Sequence, residues 1–239
     1  MPLPTIATPT YELELPSTGQ KIKYRPFLVK EEKLLLLALE SDDTKEISNA
    51  IKIVLKNCIQ SKSIKVENLP TFDIEYLFLN IRGKSVGEKI EVNLIAPDDR
   101  ETSVPVNINI DEIKVKKDPE HNKQIKLDDN LIMEMKYPSL EQFVKSNFDL
   151  SNETNMDQSF ELIASCVDKI YNEEEVWVAG DVTKKELVDF LEQMNSMQFK
   201  QIEKFFETMP KLSHEITFIN PKTKVESTVV LEGLSSFFA

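Results

Sequence analysis

Four leucines stand in an unbroken row, Leu34-Leu35-Leu36-Leu37, followed by Ala38-Leu39. No other stretch constrains the chain as strongly. Residues 30–39 contain no Gly, Pro or β-branched residue, which reads as helix. Four successive side chains cover more than half of a helix's circumference, so the row predicts a helix that other elements wrap, with a partner interface as the alternative. Just upstream, Ile22 and Tyr24 alternate with Lys21, Lys23 and Arg25 as in a short strand, and Pro26 separates strand from helix. Nothing in the stretch is catalytic in kind.

The wrapping must come from the rest of the chain. With 239 residues, 41% of them hydrophobic, there is material for one large domain or two small ones. Prolines at 2, 4, 9 and 16 make residues 1–16 an extended arm. Its end, with Tyr11, Leu13 and Leu15 alternating with acids, predicts a hairpin with the strand that follows. A second helix is expected over 45–59, with Ile47, Ala50, Ile51, Val54, Leu55 and Cys58 on one face. A third runs from Pro70-Thr71 through Ile81 and is closed by Arg82-Gly83-Lys84.

The periodicity then changes. Ile90, Val92 and Leu94, then Val104, Val106, Ile108 and Ile110, alternate around a turn at Pro97-Asp98-Asp99. They predict an antiparallel pair with one wet face. Residues 114–122 are charged and read as a mobile loop; Ile125, Leu127 and 131–135 form a smaller β unit. Helices are expected from Ser139, over 156–171, over 184–195 behind a Thr183/Glu186 capping box, and over 196–208. Residues 147–155 are a polar break, and Val176-Trp177-Val178 is a short extended piece. A hairpin pairs 214–219 with 224–231 across Asn220-Pro221-Lys222-Thr223. The fold class is α+β: two helical blocks with an antiparallel β insert between them and β-hairpins near both termini. The expected units are an extended arm over 1–16, a hairpin with helices over 17–85, the β insert over 86–137, and a helical block with C-terminal hairpin and tail over 138–239.

Charge and chemistry narrow the function. A net charge of −12 argues against nucleic acid, whose phosphates need clustered Lys and Arg, and against anionic lipid. No run approaches the roughly 18 apolar residues of a membrane span, and the first residues lack the pattern of a secretory signal. Cys58 and Cys166 read as buried free thiols. His121 and His214 are too few for a metal site or a histidine-based triad. Five glycines, without a GxGxxG or GxxxxGK[ST] string, offer no phosphate cradle. The pairs Asp42-Asp43, Asp98-Asp99 and Asp128-Asp129 read as turn residues rather than acid–base groups. Glu173-Glu174-Glu175 reads as an exposed acidic face, or as a docking patch for a basic partner. Trp177 is either core or an interface anchor. No cofactor, metal or reaction class follows, and the expectation is that the chain is not an enzyme.

Three strings occur together in fixed order: KYRPFLVKEE at 23–32 running into the leucines, FDIEYLFLNIR followed by KSVG at 72–87, and the tail GLSSFF at 233–238, with KFFETMPKL at 204–212 between. In these the chain, from about residue 15 to its end, resembles the baseplate protein family of T-even-type contractile-tailed bacteriophages. The resemblance implies a virion-assembly protein of the baseplate hub, acting in the host cytoplasm as assembly factor or chaperone, or retained in the tail as a permanent structural subunit. A hub-associated hydrolase is the alternative from another class. Implied partners are other hub or tail proteins, the tape measure among the candidates; the oligomeric state stays open. The residues expected to bind partners are Arg25, Phe27, Trp177, Phe237 and Phe238, the last two as apolar groups at a free terminus. For Arg25 the structural reading is an ion pair with Glu31 or extension into solvent.

Overall fold

The structure is a computed structural model that describes residues 6–41, 43–143 and 156–237. The start of the arm, the polar break and Phe238 lie outside the described residues. The chain opens with the expected hairpin. Strands β1 (Tyr11–Glu14) and β2 (Lys21–Tyr24) pair antiparallel, Tyr11 opposite Tyr24 and Leu13 opposite Ile22. Gly19 takes the left-handed φ of 71° that the turn requires. Ile22 and Tyr24 point into the core and the lysines point out. The Arg25 N–H donates to the Cys58 carbonyl, and the Gln60 N–H to that of Lys23, so the hairpin is tied to the end of the second helix.

Helices α1 (Val29–Ser41), α2 (Thr44–Cys58) and α3 (Thr71–Val86) follow. Asp43 caps α2, accepting from the Lys45 and Glu46 N–H groups. The apolar face read for α2 is buried residue by residue. The wrapped helix, however, is α3, which buries Phe72, Ile74, Leu77, Phe78, Leu79 and Ile81. In α1 the leucine row is split. Ala38 is buried and Leu34 and Leu35 are half-buried, while Leu36 and Leu37 are 57% and 54% exposed. Packing against α2 covers one flank of the cylinder, and four consecutive apolar residues exceed what one flank can hide. Gly83 does not end α3 either. It lies inside the helix against Ile110, whose Cδ1 would stand 2.6 Å from a Cβ at this position. Gly87, at φ 142°, is the stop.

Strands β3 (Lys89–Ile95) and β4 (Ser103–Asn109) form the expected pair, with Ile90, Val92, Leu94 and Ile108 inward. Residues 114–116, read as loop, are strand β5 (Lys114–Lys116). It pairs with β10 (Lys211–Ile219), which also pairs with β11 (Glu226–Glu232). Val115 sits opposite Leu212 in that ladder, and its flanking lysines masked a single apolar residue in the sequence. After β11 a 3-10 turn, Leu234–Phe237, folds back and buries Leu234 and Phe237.

A second core is built on the sheet β6–β7–β8–β9: β6 (Gln124–Lys126), β7 (Ile132–Met135), β8 (Val167–Tyr171) and β9 (Val176–Val178). Against it pack α4 (Met156–Ser165), α5 (Lys184–Glu192) and α6 (Ser196–Thr208). The helix expected over 156–171 therefore stops at Ser165. Val167 and Ile170 are buried at a spacing that suits a helix turn, but pairing with β7 wins. The expected capping box holds, Thr183 with Glu186 reciprocally, and at Ser139 the N–H and the hydroxyl both donate to Gln142 Oε1, one half of such a box. Mixed helices and small antiparallel sheets make the fold α+β, as read. Residues 86–137 do not form one insert. β3–β4 belong to the first core, β5 to the C-terminal hairpin and β6–β7 to the second core.

Aromatic rings join the two cores. Phe72 of α3 meets Tyr137 edge-on at 5.0 Å between centroids. Tyr137 and His121 stack at 5.5 Å, and both lie against Phe205 of α6, at 5.9 and 5.2 Å. The Thr71 N–H donates to the Pro138 carbonyl beside this joint.

Candidate interface

Arg25 and Phe27 are held inside the chain. Arg25 Nη2 lies 3.0 Å from Glu31 Oε1, its Nη1 donates to the Pro26 carbonyl, and Glu31 is only 1% exposed. Glu31 Oε2 also accepts from the Leu28 N–H at 2.8 Å, so one carboxylate caps α1 and neutralises the arginine. Burial pushes the Glu31 carboxyl up, but the Arg25 hydrogen bond and the Leu28 N–H outweigh it and hold the group below its ordinary value. Phe27 packs on Phe78, and its N–H donates to Ser85 Oγ. These residues build the strand-to-helix corner.

Phe237 is fully buried in the first core, so its ring is not a free terminal anchor. Trp177 is 40% exposed, in a strand whose three residues, Val176, Trp177 and Val178, all face solvent to a large extent. A second apolar surface lies on the leucine row, read as core with a partner interface as its alternative. On α1, Val29, Leu36 and Leu37 are exposed along one flank, beside exposed Lys33 and Glu40. The signal was present in the excess of the leucine row over one buried stripe.

The polar clusters are structural. Asp98 accepts from Asn220 Nδ2 at 3.0 and 3.1 Å and from Thr223 Oγ1, which fastens the β3–β4 turn to the β10–β11 turn. Asp99 accepts from the Glu101 and Thr102 N–H groups, and Asp128 from those of Asn130 and Leu131. Asp73 is buried beneath Ser17, whose N–H and hydroxyl both donate to it; burial pushes its carboxyl above the ordinary value. Both cysteines are free and buried, and burial pushes each thiol up to about 11.

A cleft of about 970 Å³ opens where the two cores meet, lined among others by Ser17, Lys117, His121, Lys136 and Gln142. His121 Nδ1 lies 3.0 Å from Thr208 Oγ1, and that hydroxyl donates its proton to the Lys204 carbonyl. Nδ1–H is therefore the donor to Thr208, and Nε2 is the bare, buried nitrogen without a hydrogen-bond partner among the described residues. Burial, with Lys123 nearby, pushes the histidine below its ordinary value. Ser165 Oγ donates to the Leu162 carbonyl. Among the described residues, no group of three or more His, Cys, Asp or Glu is placed to hold a metal ion, and no helix is long and apolar enough to cross a membrane.

Against this geometry stands one comparison that decides kinship. The family described as T4 bacteriophage base plate protein matches residues 8–239. The chain belongs to that family. The match reaches further forward than the recognisable strings did, taking in the second half of the proline-rich arm and the hairpin. It covers both cores of this base plate family member and both apolar surfaces, the α1 flank and strand β9. No curated protein and no solved structure matches the chain.

Proposed function

We propose that this chain is a non-enzymatic assembly protein of the phage tail baseplate hub, acting through protein–protein contacts in the host cell cytoplasm. Family membership carries the reading as far as the baseplate. The α1 flank supports the mode of action. Leu36 and Leu37 lie in the same stretch as the family string and leave more than half of their surface in water. Burying such side chains in an interface stabilises it by about 25 cal/mol per Å² of apolar surface, before the cost of association is subtracted. The turn aspartates and Asp73 are taken up in structural hydrogen bonds, which supports contact rather than turnover. The partners are other hub or tail proteins, with the tape measure as one candidate.

The test is a Leu36→Glu/Leu37→Glu variant supplied to infected cells that lack the native chain. Exposed positions should leave stability within about 0.5 kcal/mol of the parent. The expected result is a normal melt, loss of co-purifying hub proteins after crosslinking, and fewer assembled baseplates. Normal baseplate yield from a folded variant would defeat the contact reading. Mass spectrometry of purified virions separates the two kinds of assembly role: a fixed copy number per particle makes the chain a permanent subunit instead of a factor that leaves.

A further inference from the structure

Strand β9 is an open edge. The order β6–β7–β8–β9 pairs it with β8 alone. Its residues are Val176, Trp177 and Val178, the first 60% exposed. Apart from its shortness it carries none of the devices that blunt an edge: no Pro, no Lys, no inward charge. The ladder to β8 is bracketed by two hydrogen bonds, Asn172 N–H to the Glu175 carbonyl and Ala179 N–H to the Asp168 carbonyl. Antiparallel alternation then bonds Glu175, Trp177 and Ala179 to β8 and turns the backbone of Val176 and Val178 outward. The Val178 carbonyl takes the Asp181 N–H. The Val176 N–H and carbonyl and the Val178 N–H face the open side.

Charge decides what can sit there. Exposed Glu173, Glu174 and Glu175 precede the strand and exposed Asp181 follows it. The nearby cations Lys169 and Lys184 are taken up by Glu134 and Glu161. A second copy added antiparallel would set the glutamates of one chain against the aspartate of the other. Added parallel, it would set glutamates against glutamates. Like charges directly opposed on paired strands are destabilising. We propose that β9 is a docking edge for an extended segment of a different protein, β-branched or apolar at its centre and flanked by Lys or Arg, which adds as a fifth strand to the sheet. Trp177 lies on the face of its cross-strand neighbour Ile170 and supplies the aromatic anchor for one side chain of the incoming strand. The acidic run and the exposed tryptophan thereby become parts of one site. The inference rests on the reading of the chain as an interaction protein, but its test needs no baseplate.

The test uses the full chain and a labelled synthetic peptide of alternating threonine and valine between paired lysines, with a glutamate-flanked peptide as control, read by fluorescence anisotropy. The lysine peptide should bind about tenfold or more tighter than the control, and weaken with salt. Val176→Pro removes only an outward N–H and keeps the β8 ladder; it should abolish binding without lowering the melting temperature. Glu173→Lys/Glu174→Lys/Glu175→Lys should reverse the peptide preference, and Leu36→Glu/Leu37→Glu should leave it unchanged. Equal affinity for the two peptides, or undiminished binding by folded Val176→Pro, overturns the proposal. So does a dimer in sedimentation velocity that Val176→Pro dissolves, which would make the occupant a second copy. Peptide binding that survives while the α1 variant still assembles normal baseplates separates a sound edge from a failed hub reading.

Discussion

Glu31 shows how one residue can decide a corner. Its carboxylate meets the Arg25 guanidinium and the Leu28 N–H at once, in a site that water barely reaches. Because its folded value lies below the ordinary one, the unfolded chain binds more protons in the acid range. The stability it contributes is thus fully present above the ordinary carboxylate value, and is lost as pH falls through the folded value. Glu31→Gln keeps the shape but leaves the arginine without its counter-ion. Removing one partner of a fully buried pair costs ~3–5 kcal/mol; Arg25 retains some solvent, so about 2–3 is expected. Urea unfolding at neutral pH reads the loss, and the variant's acid arm should be flatter than the parent's. His121 works in the same direction for a different reason. Burial first, then Lys123, depresses it against the opposing pull of Asp118, and protonating Nε2 would bury an N–H with no acceptor. Its contribution is present above the ordinary histidine value and lost as pH falls below it. From about pH 7.5 to about pH 5 the parent should lose melting temperature relative to His121→Phe, which keeps the ring stack and cannot titrate. Parallel curves for the two proteins would remove His121 from the pH response.

At the scale of elements, turn chemistry decides what could be read from the sequence. The Asn220-Pro221-Lys222-Thr223 turn and the Pro97-Asp98-Asp99 turn announce both hairpins, because Asx side chains carry their own local hydrogen bonds and Pro fixes φ. That the two turns bind each other is a long-range fact that no window of sequence contains. Asn220 is fully buried, and its amide both donates to Asp98 and accepts from the Lys222 N–H. Asn220→Ala should cost about 2–3 kcal/mol by orphaning those groups. In that background Asp98→Ala should cost less than it does in the parent, since only its Thr223 contact is left to lose; full additivity in thermal unfolding would show that Asn220 and Asp98 are not coupled. The misreadings have the same origin. Residues 167–171 satisfy a helical spacing and become β8 because β7 and β9 flank them. Lys114–Lys116 looks like a solvated loop and becomes β5 because Leu212 lies across from Val115. In the candidate interface, Trp177 was visible as a valine-flanked aromatic, whereas the leucine row read first as core, with an interface only as its alternative, and nothing local singled out Leu36 and Leu37 as its exposed part. Exposure depends on which neighbours a helix finds, and α1 finds chiefly α2.

At the scale of the whole molecule, the first core is closed by both ends of the chain and the second is looped out of its middle. Leu15, Ile22 and Tyr24 arrive from the N-terminal hairpin, while Leu231, Leu234 and Phe237 arrive from the C-terminal segment. The second core draws its buried residues from Ile125 to Phe205. Contact between them runs through the Phe72–Tyr137–His121–Phe205 rings. Removing residues 235–239 therefore tests architecture. A tail that merely reached for a partner could be deleted without touching the melt. Phe237 is instead fully buried, and losing such a ring from a core costs about 3–5 kcal/mol. The damage should stay on one side of the aromatic joint, because Phe237 belongs to the first core and no described residue of the deleted segment is buried in the second. Differential scanning calorimetry of the truncated chain should show an early transition, from the first core, separated from a later one close to the parent's. Phe237→Ala should reproduce the early transition, and Phe237→Leu, which refills most of the space, should move it back toward the parent. A single unshifted transition, with loss of co-purifying hub proteins, would return the tail to the partner and take Phe237 out of the core.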